Sequence, residues 1–273
     1  MYEELTAANI IYDIDSKAYK QFVYTGLSAC VLLKIPIIDK FDYNKPRVIG
    51  KSRNRNALVK CFSSALYNER ERVMAEFGYQ CADYLKIMFD LGKEVSAVGL
   101  ICAIDHCLWN AYFSLEELKL FVEKNKSEKF MSNLKRVLPF VSDNDESPYE
   151  TLVRLAIYLL GYENPIQQLP FYKNGRYIGR IDFFWKTRKG RMAFEVDGAL
   201  KGRKPGYYEE ERLRQAILEE QGYKVYRLMY KQYLRGELPD LLEKMGVRKA
   251  HSKPRKLPIN NGLKNQNRFQ ADF

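Results

Sequence analysis

The sequence predicts an α+β protein: a mainly helical N-terminal half, then a layered α/β/α core. Three observations predict it. The stretch from Arg180 to Lys201 alternates as two strands around a tight turn, a capped helix opens at Ser147, and a charged helix followed by the apolar run KVYRLMY comes after the hairpin. The order helix, three-stranded meander, helix, strand allows the last strand to lie beside the third in one sheet.

At 273 residues the chain allows one large domain or two modest ones. With 46% apolar and 14% aromatic residues it can bury a core. A net charge of +11 favours a polyanionic partner, nucleic acid first and an anionic membrane second. No apolar run reaches the roughly 18 residues that a membrane-spanning helix needs. The opening MYEELTAANIIYDIDSK carries early acids and lacks the basic start and apolar core of a signal peptide, so a cytoplasmic protein is expected. Cys30, Cys61, Cys81, Cys102 and Cys107 have no CxxC spacing and read as reduced core residues. The only histidines are His106, in an apolar stretch, and His251, in a basic tail. A hydrolase built from this chain therefore has to work with carboxylates, lysine and metal rather than a histidine base.

Residues 21–33 read as a helix that ends before Pro36. The patch Lys51-Ser52-Arg53-Asn54-Arg55-Asn56 is basic and reads as a solvated loop more readily than a phosphate contact. From about 68 to 138 the chain is mostly helical: CADYLKIMFDLG with Gly92 as its cap, an apolar helix from Lys93 to Asn110, a capping box at Ser114-Leu115-Glu116-Glu117, and a short helix from Phe130 to Leu138. A domain is thus expected over 1–140.

The polar stretch VSDNDES at 141–147 marks the boundary. Ser147-Pro148-Tyr149-Glu150 then gives an N-cap, a proline at the first helical position and a capping acid, so Glu150 has a structural explanation of its own. Asn174-Gly175 is a hairpin signal that pairs 166–172 with 177–185. The turn at Thr187-Arg188-Lys189-Gly190 leads into 191–197. If Arg188-Lys189 is the loop, Asp182 faces Glu195; if Lys189-Gly190 is the loop, it faces Asp197. Either register places Asp182, Glu195 and Asp197 on one face. Carboxylates opposed at roughly 5 Å repel, so a fold that places them there has a cation to hold. Mg²⁺, or Mn²⁺, is the simplest candidate because it takes one or two carboxylates plus water and phosphate. The bland reading is a solvated acidic strand face with Arg180, Lys186 and Arg191 as neighbours. A second domain is expected over 147–246, and 247–273, with seven Lys or Arg against Asp272, reads as a disordered basic tail that adds salt-dependent nucleic-acid affinity.

These segments taken together resemble the PD-(D/E)XK nuclease superfamily with its restriction-endonuclease-like core. Within it they are most similar to very-short-patch-repair-like endonuclease domains and to bacterial AbiEi-type antitoxin or endonuclease-domain proteins. The resemblance rests on Ser147-Pro148-Tyr149-Glu150, Gln168, Gly179-Arg180-Ile181-Asp182, Glu195-Val196-Asp197-Gly198 with Lys201, an ER-x-R helix and a G-Y-x-V-x-R strand. It covers about 147–235 well and the upstream half weakly.

The resemblance implies that Asp182 and Glu195 are the principal metal ligands, with Glu150 completing the site through metal or its water. Gln168 positions substrate or metal water. Asp197 stands where the superfamily has lysine, and Lys201, in the following loop, is the substitute cation. Arg180, Arg203 and Lys204 are candidate phosphate contacts, with Arg212, Arg214 and the tail; the bland alternative for Arg212 and Arg214 is i,i+4 pairing with nearby glutamates. The expected function is a metal-dependent endodeoxyribonuclease. The alternative is a non-catalytic DNA-binding regulator or antitoxin of a toxin–antitoxin or phage-defence system. RNA cleavage is a third, weaker option. DNA is the expected partner, with a toxin or another protein, and a homodimer, as further candidates.

Overall fold

The structure, a computed structural model, describes residues 22–41, 45–50, 59–197 and 207–251, with Leu257. The chain forms two compact units and passes from the first to the second at Asp143–Asn144.

The first unit pairs a sheet of very short strands with helices. Its strands are β1 (Val23–Tyr24), β2 (Arg47–Ile49), β3 (Lys60–Phe62), β4 (Val73–Met74) and β5 (Gln80–Cys81). They lie in the order β3-β2-β1-β5-β4. The helices are α1 (Gly26–Leu32), α2 (Tyr84–Leu91), α3 (Ala97–Trp109), α4 (Leu115–Lys124) and α5 (Met131–Val137). The helix expected over 21–33 is corrected here: Val23–Tyr24 is the central strand, antiparallel to β2 and parallel to β5. Thr25 is extended and Gly26 has φ +50°, so no helix can run through them, and Val-Tyr suits a strand. The capping box at Ser114 forms as expected, with Glu117 as its reciprocal acid. The five cysteines are free thiols, and all but Cys61 are buried.

A buried ion pair organises this unit. Lys86 and Asp90 are both fully buried, and Lys86 Nζ donates to both carboxylate oxygens at 2.8 and 2.7 Å. Thr25 Oγ1 and Lys93 Nζ donate to the same carboxylate at 2.7 and 2.6 Å.

The second unit runs α6 (Pro148–Leu159), β6 (Ile166–Lys173), β7 (Arg176–Thr187), β8 (Gly190–Asp197), α7 (Tyr207–Glu220), β9 (Tyr223–Met229), α8 (Tyr230–Leu234) and α9 (Leu238–Met245). The sheet order is β6-β7-β8-β9; β6, β7 and β8 form an antiparallel meander, and β9 is parallel to β8. Asn174 and Gly175 both have positive φ, +50° and +75°, as the tight β6–β7 turn requires. Thr187 pairs with Gly190, so Arg188-Lys189 is the β7–β8 loop.

Two cores flank the sheet. Leu218 of α7 packs with Phe171, Ile181, Ala193 and Tyr223. On the other face Phe183, Trp185 and Phe194 stack at tilted angles, and Tyr149 of α6 donates its hydroxyl to Leu228 O at 3.3 Å. The sheet is thus held between α6 and α7. Among the described residues no helix is long and apolar enough to cross a membrane.

Replacing Lys86 by Ala removes two hydrogen bonds from the buried Asp90 carboxylate, which keeps Thr25 and Lys93. Urea unfolding of Lys86→Ala is expected to show a loss of about 2 kcal/mol, the scale for losing hydrogen bonds to a charged group. A loss within about 0.5 kcal/mol, the scale of surface changes, would contradict the role given to the pair.

Candidate active site

The site grows from a break in the sheet at Asp182. In β6–β7, Gln167 pairs with Phe183 and Leu169 with Ile181, so Gln168 and Asp182 step out of the ladder between them. Gln168 does so in the left-handed region, φ +49°, a conformation costly for a side chain with a Cβ. In β7–β8 the ladder stops at Phe183↔Phe194. One step further in the same register sets Asp182 beside Glu195. The Asp182 carboxylate then takes over a ladder contact: its Oδ2 accepts the Val196 N–H at 2.8 Å. Of the two registers open from sequence, the first is the one formed.

Asp182 and Glu195 are both buried, 8% and 4% exposed. Burial, and after it the charge of Asp182, pushes the Glu195 carboxyl up to about 7, with Arg214 pulling the other way. The Arg214 guanidinium comes from α7. Its Nη2 lies 3.0 and 3.1 Å from the two Glu195 oxygens, and it also donates to Arg180 O. Its Nη1 donates to Glu211 at 3.1 Å.

From Glu211 the charges continue in alternation. Arg227 Nη2 donates to Glu211 at 2.5 Å, and Arg227 Nη1 to Asp197 Oδ2 at 3.3 Å. Glu195 and Asp197 therefore share the α7 face, as expected, whereas Asp182 turns to the backbone of β8. Asp197, at the position where the resembled family has lysine, is tied to an arginine of β9.

Glu150 is buried at the start of α6. Ser147 Oγ donates to its Oε1 at 2.8 Å, and its Oε2 accepts the Glu146 N–H at 3.0 Å and Gln168 Nε2 at 2.9 Å. It is the capping acid of α6 and the anchor of Gln168. Arg180 sends its side chain to Glu146, 3.2 Å away. Lys201, Arg203 and Lys204 lie outside the described residues, as do the 51–56 patch and most of the basic tail.

Among the described residues no three His, Cys, Asp or Glu side chains are grouped so as to hold a metal ion. The pair alone fits a hard cation: two buried acids on adjacent strands, with the Glu195 carboxyl raised by burial and by its neighbour. Mg²⁺ takes one or two carboxylates and completes its shell with water and phosphate oxygens. Among the described residues Glu150 is not grouped with the pair as a third ligand; its oxygens accept from Ser147, the Glu146 N–H and Gln168.

Sequence alone does not show the reach of Arg214 or the role of Arg227. Both were present in the ER-x-R helix and G-Y-x-V-x-R strand motifs, but only the packing of α7 over the sheet shows what they touch. Comparison with protein-family models, with curated proteins and with solved structures found no match.

Glu195 also sets a pH dependence. Between about pH 4.5 and 7 the folded chain keeps a proton on Glu195 that the unfolded chain releases. Stability from this group is therefore present at low pH and lost as pH rises through 7. Chemical denaturation of wild type and Glu195→Gln at pH 5 and pH 8 is expected to show the wild type losing ground to the variant at pH 8. An equal difference at both pH values would contradict the raised carboxyl.

Proposed function

We propose that the second unit is a metal-dependent endodeoxyribonuclease of the PD-(D/E)XK kind, hydrolysing DNA phosphodiester bonds. The observation that carries this reading is the Asp182–Glu195 pair, two buried acids forced together at a break in the sheet. The order α6, three-stranded meander, α7 and a final parallel strand supports it, as does the net charge of +11.

In this reading Asp182 and Glu195 offer carboxylate oxygens to Mg²⁺ or Mn²⁺. The bound ion supplies a Lewis acid for the phosphoryl oxygen and lowers the pKa of a water. Asp182 is oriented by the Val196 N–H, and Glu195 by Arg214. Glu150 fixes the Gln168 amide, and in this reading Gln168 orients substrate or a water. Lys201, Arg203, Lys204 and Arg180 are the proposed phosphate contacts, and DNA is the proposed partner.

One observation favours a second reading. Asp197 is paired with Arg227 and Glu195 with Arg214, so an arginine chain closes where the resembled family keeps lysine. That arrangement suits a DNA-binding regulator or antitoxin that keeps the fold and has lost the chemistry, with a toxin protein as its further partner.

Plasmid cleavage separates the two. Purified protein with Mg²⁺ or Mn²⁺ is expected to nick supercoiled DNA, and Glu195→Ala and Asp182→Asn to lose about 100-fold or more of the rate, the scale for removing a group that stabilises transition-state charge. No cleavage by the wild type, with all three proteins shifting DNA equally in a gel, would favour the regulator.

A further inference from the structure

We propose that Arg214 is the positioning residue that sets the spacing of Asp182 and Glu195, clamping β7 to β8 where the backbone ladder fails. The proposal rests on the reading of that pair as a metal site.

Backbone pairing between β7 and β8 ends at Phe183↔Phe194. Beyond it, the described residues show these contacts between the strands. One is the Asp182 carboxylate on the Val196 N–H. The other is Arg214, whose Nη2 donates to Arg180 O on β7 and to both Glu195 oxygens on β8. A single nitrogen thus ties the strand of one acid to the side chain of the other.

The guanidinium is itself held by its neighbours. Nη1 bonds to Glu211 in the same helix, and Glu211 is held in turn by Arg227. The guanidinium carbon lies 5.6 Å from the Phe171 ring centroid. A Cβ at Gly179 would come within 3.2 Å of Arg214 Nε and 3.4 Å of the Phe171 ring, so glycine leaves the room in which this side chain lies. A planar fork with several donors can meet a carbonyl, one carboxylate and a second carboxylate at once. A lysine ammonium carries the same charge but lacks that geometry.

This separates positioning from charge balance. If Arg214 only neutralised Glu195, Lys at 214 would serve as well, and Gln would raise metal affinity by removing a competing positive charge. If Arg214 sets the spacing, both substitutions weaken metal binding. Arg214→Lys and Arg214→Gln are expected to lower Mn²⁺ affinity by about 10- to 100-fold in calorimetry, as loss of a group orienting a metal ligand does.

Hydrogen exchange reads the same role without metal. In the metal-free protein the Val196 amide, whose acceptor is Asp182, is expected to exchange about tenfold faster in Arg214→Lys, while the Met192 and Phe194 amides in the intact ladder keep their rates. Gly179→Ala leaves every charge in place and is expected to speed Val196 exchange in the same way, which keeps the test open if a variant at 214 fails to fold. Unchanged Val196 exchange in both variants, or Mn²⁺ affinity in Arg214→Lys equal to wild type, would overturn the proposal. A wild type that binds no Mn²⁺ would instead count against the metal site, and the exchange result would still decide what Arg214 does.

Discussion

Two neighbouring acids buried out of water are the constraint on which the second unit depends. Asp182 and Glu195 are both buried, on adjacent strands, at the step where the ladder between those strands ends. Such an arrangement is costly unless each charge finds a partner, and burial magnifies both the repulsion and the worth of the compensation. The fold answers with an alternating chain: Glu195 to Arg214, Arg214 to Glu211, Glu211 to Arg227, Arg227 to Asp197. Networks of this kind add little net stability over apolar packing.

Local sequence sets the stage for that pair in several independent ways. The two-residue loop Arg188-Lys189 fixes which β8 residue faces Asp182, because a shift of one residue would exchange the two faces of the strand. Ser147 starts α6 and places Glu150 where it can hold Gln168. Gln168 in turn is kept in a left-handed conformation that opens the ladder on the other side of Asp182. The parallel seating of β9 on β8 sets Arg227 beside Glu195 in register, from where it reaches Asp197 and Glu211.

Much of this was legible in the sequence, and the reasons are specific. The Asn174-Gly175 turn, the Ser147 cap and the period-2 alternation of 192–196 are local signals that formed as expected, whereas the alternation of 181–185 breaks at Asp182, with Ile181 in the α7-side core and Phe183 and Trp185 on the other face. The register was narrowed to two choices, since side-chain alternation cannot tell a loop at 188–189 from one at 189–190. The strand at Val23–Tyr24 was hidden because apolar residues run on into α1 and only the φ of Gly26 separates them. The reach of Arg214 was also hidden: its nearest acid in sequence is Glu211, and the longer contact to Glu195 depends on how α7 lies on the sheet. The break at Gln168 is likewise tertiary, since nothing in QQLPF signals a left-handed residue.

The central claim is that Asp182 and Glu195 bind a cation together. Anomalous diffraction from crystals of the full chain soaked in Mn²⁺ tests this most directly. A peak is expected within coordination distance of both carboxylates, with Arg214 still on Glu195. A crystal with no peak at the pair, or with Mn²⁺ held only by other residues, would contradict it.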